Sequence, residues 1–561
     1  MKQVIRFCVV GLALMAAFNL QARTISVDID ARTNDLTEYL RSLSNSATYD
    51  DTLILNFGKG RFTLNGTVEF MSSVIINGAG MDQTTIILNK GSNSKHFKAF
   101  TDDTFIMFHG RLEHPIAVEI ANLSIKLKEH EGIWWEDAER YAVKIYHANH
   151  INVHDVDSYL ENAYITNFDL RVCSNVTFVN NTITNYNNCK TGGNLWMRGE
   201  MHNITIKNNQ FFKYGNDEII GVFGKTINAD GNVSGNAKRT DIFIENNKIH
   251  YGYQGKDKVK DMTNHTLFTI QTGDNKGQYT VTTSNVHVKN NKFIIKDECT
   301  RCFFVDFPYS DRQQDIYFEN NEIVNENLRS SKRYYRQDFE IKDLSKEQKP
   351  IHIINNIITN HNSVLNPYNT VGYSFLLIQG GNIDMSGNKI VNTVASDPFT
   401  GKENGVQLIW CGANDGTITM RDNVCKGIKC ISTVGAGNGT DLFTLNASNN
   451  YFEGDTRIYC HKVNELHLNF TGNTFKSNDM NFFLQEFAQK GSVIFNNNDV
   501  TVKSGDGRFM THWSNASTDS MKFTRLEVKG NVFRGVKGEQ DMFKKITNVK
   551  KRSIRSNKYD R

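Results

Sequence analysis

The sequence predicts an all-β chain wound as one single-stranded right-handed parallel β-helix, and three observations carry that expectation. The first is a repeat: "ITIKNNQF" from Ile204 to Phe211 returns as "IFIENNKI" at Ile242, "VHVKNNKF" at Val286 and "IYFENNEI" at Ile316. The second is its persistence. With the second Asn of each pair in register, the series runs through Asn181, Asn209, Asn247, Asn291, Asn321, Asn356, Asn388, Asn423, Asn450, Asn473, Asn498, Asn531 and Asn557, at spacings of 23 to 44 residues. A constant motif at variable spacing means one structural turn per repeat, with loops of changing length. The third is composition: 36 Phe and 20 Tyr in 561 residues supply a core, and 5 Pro leave long strands uninterrupted.

Asn suits such a column for a physical reason. Repeats stacked as parallel strands place equivalent side chains about 4.8 Å apart. Asn tolerates the left-handed backbone of a sharp bend, and its amide can donate to one neighbour while accepting from the other. A charged residue could not repeat there, because like charges would stack. Ile, Val, Phe and Leu beside the Asn form matching apolar columns inside.

Taken in chain order, residues 1–22 read as a secretory signal. Lys2 and Arg6 precede an apolar run from Phe7 to Phe18, and Leu20-Gln21-Ala22 offers a cleavage site after Ala22. The run is short for a bilayer span, no later segment is apolar enough, and Cys8 lies inside the run, so neither membrane insertion nor lipid anchoring is expected. A secreted or periplasmic protein follows, with a monomer as the expectation. Residues 23–52 form an N-terminal cap: "TNDLTEYLRSL" puts Leu36, Leu40 and Leu43 on one helical face, suited to covering the open end of a β-helix core. The helix itself is assigned to residues 53–561. "CTRC" (Cys299, Cys302) has no second CxxC to complete a zinc site; a local disulfide is open there, and buried thiols elsewhere. The formal net charge of +4 gives no basis for a nucleic-acid partner. The basic tail "NVKKRSIRSNKYDR" invites that reading, but its "IRSNKY" copies the rung motif and predicts an ordered final turn.

The stretch "LILNFGKGRFTLNGTVEFMSSVIINGAGMDQTTIIL", Leu53 to Leu88, together with the Asn rungs, resembles the pectin-lyase-like superfamily of secreted β-helices over nearly all of the mature chain. The resemblance implies a fold that hosts both enzymes and binding proteins, with enzyme substrates lying across one long sheet and its flanking loops.

Each rung has a strand preceding the Asn strand, and period two sends Lys144, Tyr146, Trp196, Arg198 and Glu200 outward when Val143, Ile145, Leu195 and Met197 point in. The same count sends Asn167, Gln271, Asp306, Gln379 and His461 to the outer face. Trp196 would be a stacking platform, Arg198 an anion clamp, and Glu200 an acid, base or metal ligand. One rung later Asp217 and Glu218 resemble the acidic turns of β-helix polygalacturonases without their full signature; the plainer reading has Asp217 capping its turn. Trp134 and Trp135, adjacent in the loop "HEGIWWEDAER", offer faces to sugar rings. Asp306, Arg312 and Arg336 are further candidate substrate contacts, Arg336 within the basic, Tyr-containing run "RSSKRYYRQD".

Two enzyme chemistries fit. A polysaccharide lyase acting by β-elimination needs a uronate carboxylate neutralised and a proton moved, for which Lys144, Tyr146 and Arg198 serve. Glu200, Asp217 and Glu218 would hold Ca²⁺ through hard oxygen ligands. A glycoside hydrolase needs two carboxyl groups roughly 5–10 Å apart, for which Glu200 and Glu218 are the pair. A non-catalytic, carbohydrate-binding β-helix is the third reading. The interleaving of Arg and Lys with aromatics favours the lyase and an acidic polysaccharide as partner.

Overall fold

The computed structural model describes residues 22–560, apart from 34, 90–103, 128–139, 162–164, 187–191, 216, 225–236, 253–265, 272–279, 297–298, 300, 309–310, 327–335, 346, 362–372, 393–405, 412–414, 435–439, 462, 478–480, 486–489, 504–507, 512–522 and 544–548. Residues 1–21 of the signal segment and the Trp134–Trp135 pair lie outside the described residues. No helix of the described residues is long and apolar enough to cross a membrane.

Among the described residues every strand pair is parallel, and strands pair with their equivalents in neighbouring turns, which is the pairing of a right-handed parallel β-helix. One face stacks Leu195–Lys207 on Ile220–Phe223, then Thr266–Gln271, Arg301–Phe307 and Arg336–Asp343. The strand preceding each Asn forms a second face: Ile204 sits over Ile242, Val286, Ile316 and Ile351, every one fully buried. Short strands after the Asn form the third, where Phe211 continues to Ile249, Phe293 and Ile323. Each such side chain contributes about 1.5–3 kcal/mol by leaving water, so the apolar columns are the main cohesive force.

The Asn column is continuous from Asn181 to Asn557. At every step the Nδ2 of one Asn donates to the Oδ1 of the next at 2.8–3.1 Å. The backbone N–H donates to the same oxygen, and the second amide hydrogen goes to a strand carbonyl, as from Asn321 to Val288 O at 2.8 Å. One detail differs from expectation. The left-handed bend belongs to the residue before the column, Asn180, Asn208, Asn246, Asn290 and Asn320, at φ of 54–58°. Gly387, Gly472 and Gly530 take that position in the rungs of Asn388, Asn473 and Asn531. Backbone tolerance and amide pairing are thus divided between the two Asn of each pair.

At the N-terminal end the helix Leu36–Ser46 starts at Asp35, whose carboxylate accepts the Glu38 N–H, and buries Leu36 and Leu40 against Phe57, Phe70 and Ile106. Leu43 is half-buried at the edge of the same core. The cap also contains a strand, Thr24–Ile29, paired with Thr52–Phe57, so the first rung starts inside the segment assigned to the cap. At the other end Val549–Arg555 and Lys558–Asp560 pair with the preceding turn, and the basic tail is an ordered rung. Buried Cys299 and Cys302 are thiols whose Sγ atoms donate to Arg301 O and Asp338 Oδ1 respectively, and Cys173 and Cys425 are buried free thiols.

Candidate functional site

The outer face at residues 140–223 is set by register. Val143, Phe168 and Leu195 align on the inside, as do Ile145, Leu170 and Met197. The positions between them project outward as two columns: Lys144, Asp169, Trp196 and Gly221, and beside it Tyr146, Arg171, Arg198 and Phe223. One rung before, Met107 and His109 occupy the corresponding places.

Asp169 is the hub. Fully buried, it accepts from Arg171 Nε at 2.5 Å on one carboxylate oxygen, and its other oxygen forms an ion pair with Arg198, whose Nε stands 3.2 Å away outside hydrogen-bond alignment. Arg171, itself buried, spends its remaining nitrogens on phenols: Nη1 donates to Tyr146 Oη at 3.1 Å and Nη2 to Tyr141 Oη at 2.9 Å. Burial pushes the Tyr146 phenol above its ordinary value, although the Arg171 charge pulls the other way. Lys144 Nζ lies over the rings of Tyr141 and Tyr146, 4.5 and 4.9 Å from their centroids, and Arg198 lies 4.6 Å over Trp196. Three cations, two phenols and an indole therefore surround one carboxylate across three rungs.

A second polar cluster lies at the start of the Ile220–Phe223 strand. Fully buried Lys213 donates to Asn185 Oδ1 at 3.2 Å and to the carbonyl of Gly192, while Asp217, in a left-handed bend at φ 68°, accepts the Gly192 N–H at 2.7 Å. Glu218 is buried and accepts from Thr269 Oγ1 at 3.4 Å. Burial first, then the neighbouring Asp217 charge, push the Glu218 carboxyl up to about 7. Gly193 joins the clusters: a Cβ there would stand 2.2 Å from Trp196 Nε1 and 2.7 Å from Glu218 O, so only glycine lets them pass.

Several expectations are corrected by this geometry. Trp196 is on the outer face but only 4% exposed, enclosed by Arg198, Tyr141 and Phe223, so it is no open platform. Tyr146 is similarly covered. Asn167 is fully buried, donating to Ser158 Oγ at 2.8 Å and accepting from Asn185 at 2.9 Å, because it sits a position out of step with the outer columns. Glu200 and Glu218 are not a catalytic pair. Glu218 stands beside Gly193, and Glu200 lies seven residues further along that strand, roughly 20 Å of extended chain. Glu200 lies past the bend at Gly199, exposed and paired with His202 Nε2 at 2.8 Å. The acidic trio Glu200, Asp217 and Glu218 is therefore not assembled around one point, and among the described residues no three His, Cys, Asp or Glu are grouped to hold a metal. Asp306 does face outward, 3.5 Å from Lys342. Arg312 turns the corner onto the adjoining face, exposed and in register with Thr282 and Glu347. Gln271 and Gln379 are half-buried. Arg336 opens its strand opposite Tyr373; its side chain and that of His461 lie outside the described residues.

Asp169, Arg171, Tyr141 and Lys213 were missed. Counting from Asn167 hides the first two, whereas counting from the apolar pair Phe168 and Leu170 sends Asp169 and Arg171 outward between Lys144 and Arg198. No local signal marks Lys213 as buried.

No family model and no curated protein matches the chain. Among solved structures it is similar to the catalytic domain of a GH87 α-1,3-glucanase in complex with tetrasaccharides, at 12% identity over 90% of this chain and 69% of that one, TM-score 0.31. It is similar to a mannuronic acid specific polysaccharide family 6 lyase from human gut microbiota, at 10% identity over 90% and 91%, TM-score 0.33. A family 28 exopolygalacturonase of Yersinia enterocolitica is matched at 8% identity over 96% and 79%, TM-score 0.35. The fold rests on the chain's own strand pairing, which bears out the β-helix expected from the sequence. No activity is carried over from matches this distant.

Proposed function

We propose that the protein is an exported polysaccharide lyase that cleaves an acidic, uronate-containing polymer by β-elimination. The observation that carries this reading is the convergence of Lys144, Arg171 and Arg198 with Tyr141 and Tyr146 around Asp169 on the outer face. In that reaction the proton alpha to the uronate carboxylate leaves, the bond from C4 to the glycosidic oxygen breaks, a C4–C5 double bond forms, and the departing oxygen takes a proton. Lys144 and Arg198 stand two rungs apart, about 10 Å, suited to carboxylates on neighbouring sugars of one strand. Positive charge fixed there stabilises the enolate-like transition state in which the carboxylate gains negative charge. Tyr141 and Tyr146, whose oxygens accept from Arg171, hold that guanidinium on the face.

A second reading is favoured by one group. A Glu218 carboxyl held near 7 suits a general acid, as a glycoside hydrolase requires. Incubation with a panel of uronic polysaccharides separates the readings through absorbance at roughly 235 nm, where the unsaturated product of proton abstraction absorbs. A lyase raises it, and Arg198→Ala lowers the rate on the order of 100-fold or more. New reducing ends without that absorbance, abolished by Glu218→Gln, mean hydrolysis. Retention of the polymer with no product means a binding protein.

A further inference from the structure

We infer that His109, oriented by Glu69, is the base that removes the alpha proton from the uronate held at Lys144, an inference that rests on the lyase reading above. His109 ends the strand Thr104–His109 and stands in register with Tyr146, one rung before the cluster and in line with Tyr146, Arg171 and Arg198. Its ring centroid is 5.5 Å from that of Tyr146, whose ring also carries Lys144 Nζ at 4.9 Å. The imidazole, the ammonium and the phenol therefore gather around one ring, within the span of one sugar.

The imidazole is held from the other side. Glu69, on the strand Val68–Phe70 one rung earlier, meets His109 Nδ1 at 2.8 Å. A carboxylate at Nδ1 fixes the tautomer that carries its proton there and leaves Nε2 with a lone pair, which is what a general base needs. The pair is also reachable: the His109 side chain is 27% exposed and that of Glu69 42%, whereas Tyr146 and Arg171 are buried. Besides Glu69, the titratable groups facing His109 among the described residues are Tyr146 and His147 on the following rung, with Lys144 two residues before Tyr146. In the step, Nε2 takes the C5 proton, the electron pair forms the C4–C5 double bond, the C4–O bond breaks, and the leaving oxygen takes a proton from solvent. The imidazolium then returns its proton to solvent, and no oxidant or metal is needed to balance the step.

The test uses the full chain with whichever uronic polymer it cleaves. His109→Gln is expected to lower kcat by 100-fold or more with KM little changed and polymer retention on an affinity column intact. The acid limb of the pH–rate profile should disappear with it. Imidazole added to His109→Ala should restore part of the rate. Glu69→Gln, a change at a positioning residue, should lower kcat by roughly 10-fold and move the acid limb, while Glu69→Asp recovers part of the loss. Thermal melting of each variant checks that folding is intact. Should the parent cleave by elimination and His109→Gln match its rate and profile, His109 is not the base although the lyase reading stands. Should the parent yield no unsaturated product from any polymer, the lyase reading fails, and this assignment with it.

Discussion

The Asn column and the Asp169 cluster are both polar networks inside a protein held together by apolar stacking, yet they are built on opposite principles. In the column each amide meets an identical amide one rung away, so donors and acceptors balance by repetition from Asn181 to Asn557. The cluster repeats nothing: one carboxylate serves two guanidiniums, and one guanidinium serves two phenols. A periodic network can be cut at one rung and leave its neighbours intact, whereas a hub network fails at the hub. The column is neutral at every pH, while the cluster carries charge and its neighbour Glu218 gains charge as pH rises past about 7. The difference teaches where stability ends and chemistry begins along this helix.

The sharpest break of that comparison is Asp169→Ala. It removes the carboxylate that pairs with both Arg171 and Arg198 and is expected to cost about 3–5 kcal/mol, read from the urea midpoint, together with loss of activity. A cost under about 1 kcal/mol would mean the cluster is not organised by its hub.

Glu218 gives the next effect, through pH. A carboxyl whose pKa rises on folding stabilises the fold below its ordinary value of 4.5 and loses that contribution as pH climbs to about 7. Stability of the parent should therefore fall by on the order of 3 kcal/mol between those pH values relative to Glu218→Gln, because the unfolded chain binds fewer protons there. Parallel stability curves for the two proteins would refute burial as the cause.

Asn321→Ala tests the column. It orphans the Asn291 N–H and amide and Val288 O in the preceding rung and takes one donor from Asn356 Oδ1 in the following one, for a loss of about 2 kcal/mol with activity retained. The smallest effect is expected at the end of the ladder: Asn557→Ala, where the position is only partly buried and water replaces the lost partner, should cost less than about 1 kcal/mol. Equal losses at Asn321 and Asn557 would show that burial does not set the value of a rung.

By itself the sequence determined the winding. A side chain that must stack on its own copy leaves a periodic trace, so the rungs, the apolar columns, the capping face of Leu36 and Leu40, and the final turn at Asn557 were all legible. The outer positions Lys144 and Arg198 were legible too, since alternation from buried neighbours is local. Only the tertiary structure decided what lies between and behind them. Asp169 and Arg171 follow from the same alternation when it is counted from Phe168 and Leu170, but pairing with the neighbouring turns decides that this count, and not the one from Asn167, holds. Glu200 and Glu218, close in the count of rungs, fall at opposite ends of a strand because the bend at Gly199 comes before the one and the turn at Asp217 beside the other. Burial of Trp196, Lys213 and Glu218 depends on the groups that close over them, among them Tyr141, Gly192 and Thr269, which lie 55, 21 and 51 residues away in the chain respectively. A repeat records contacts with copies of itself; a site is made of contacts between unlike residues, and these leave no period to read.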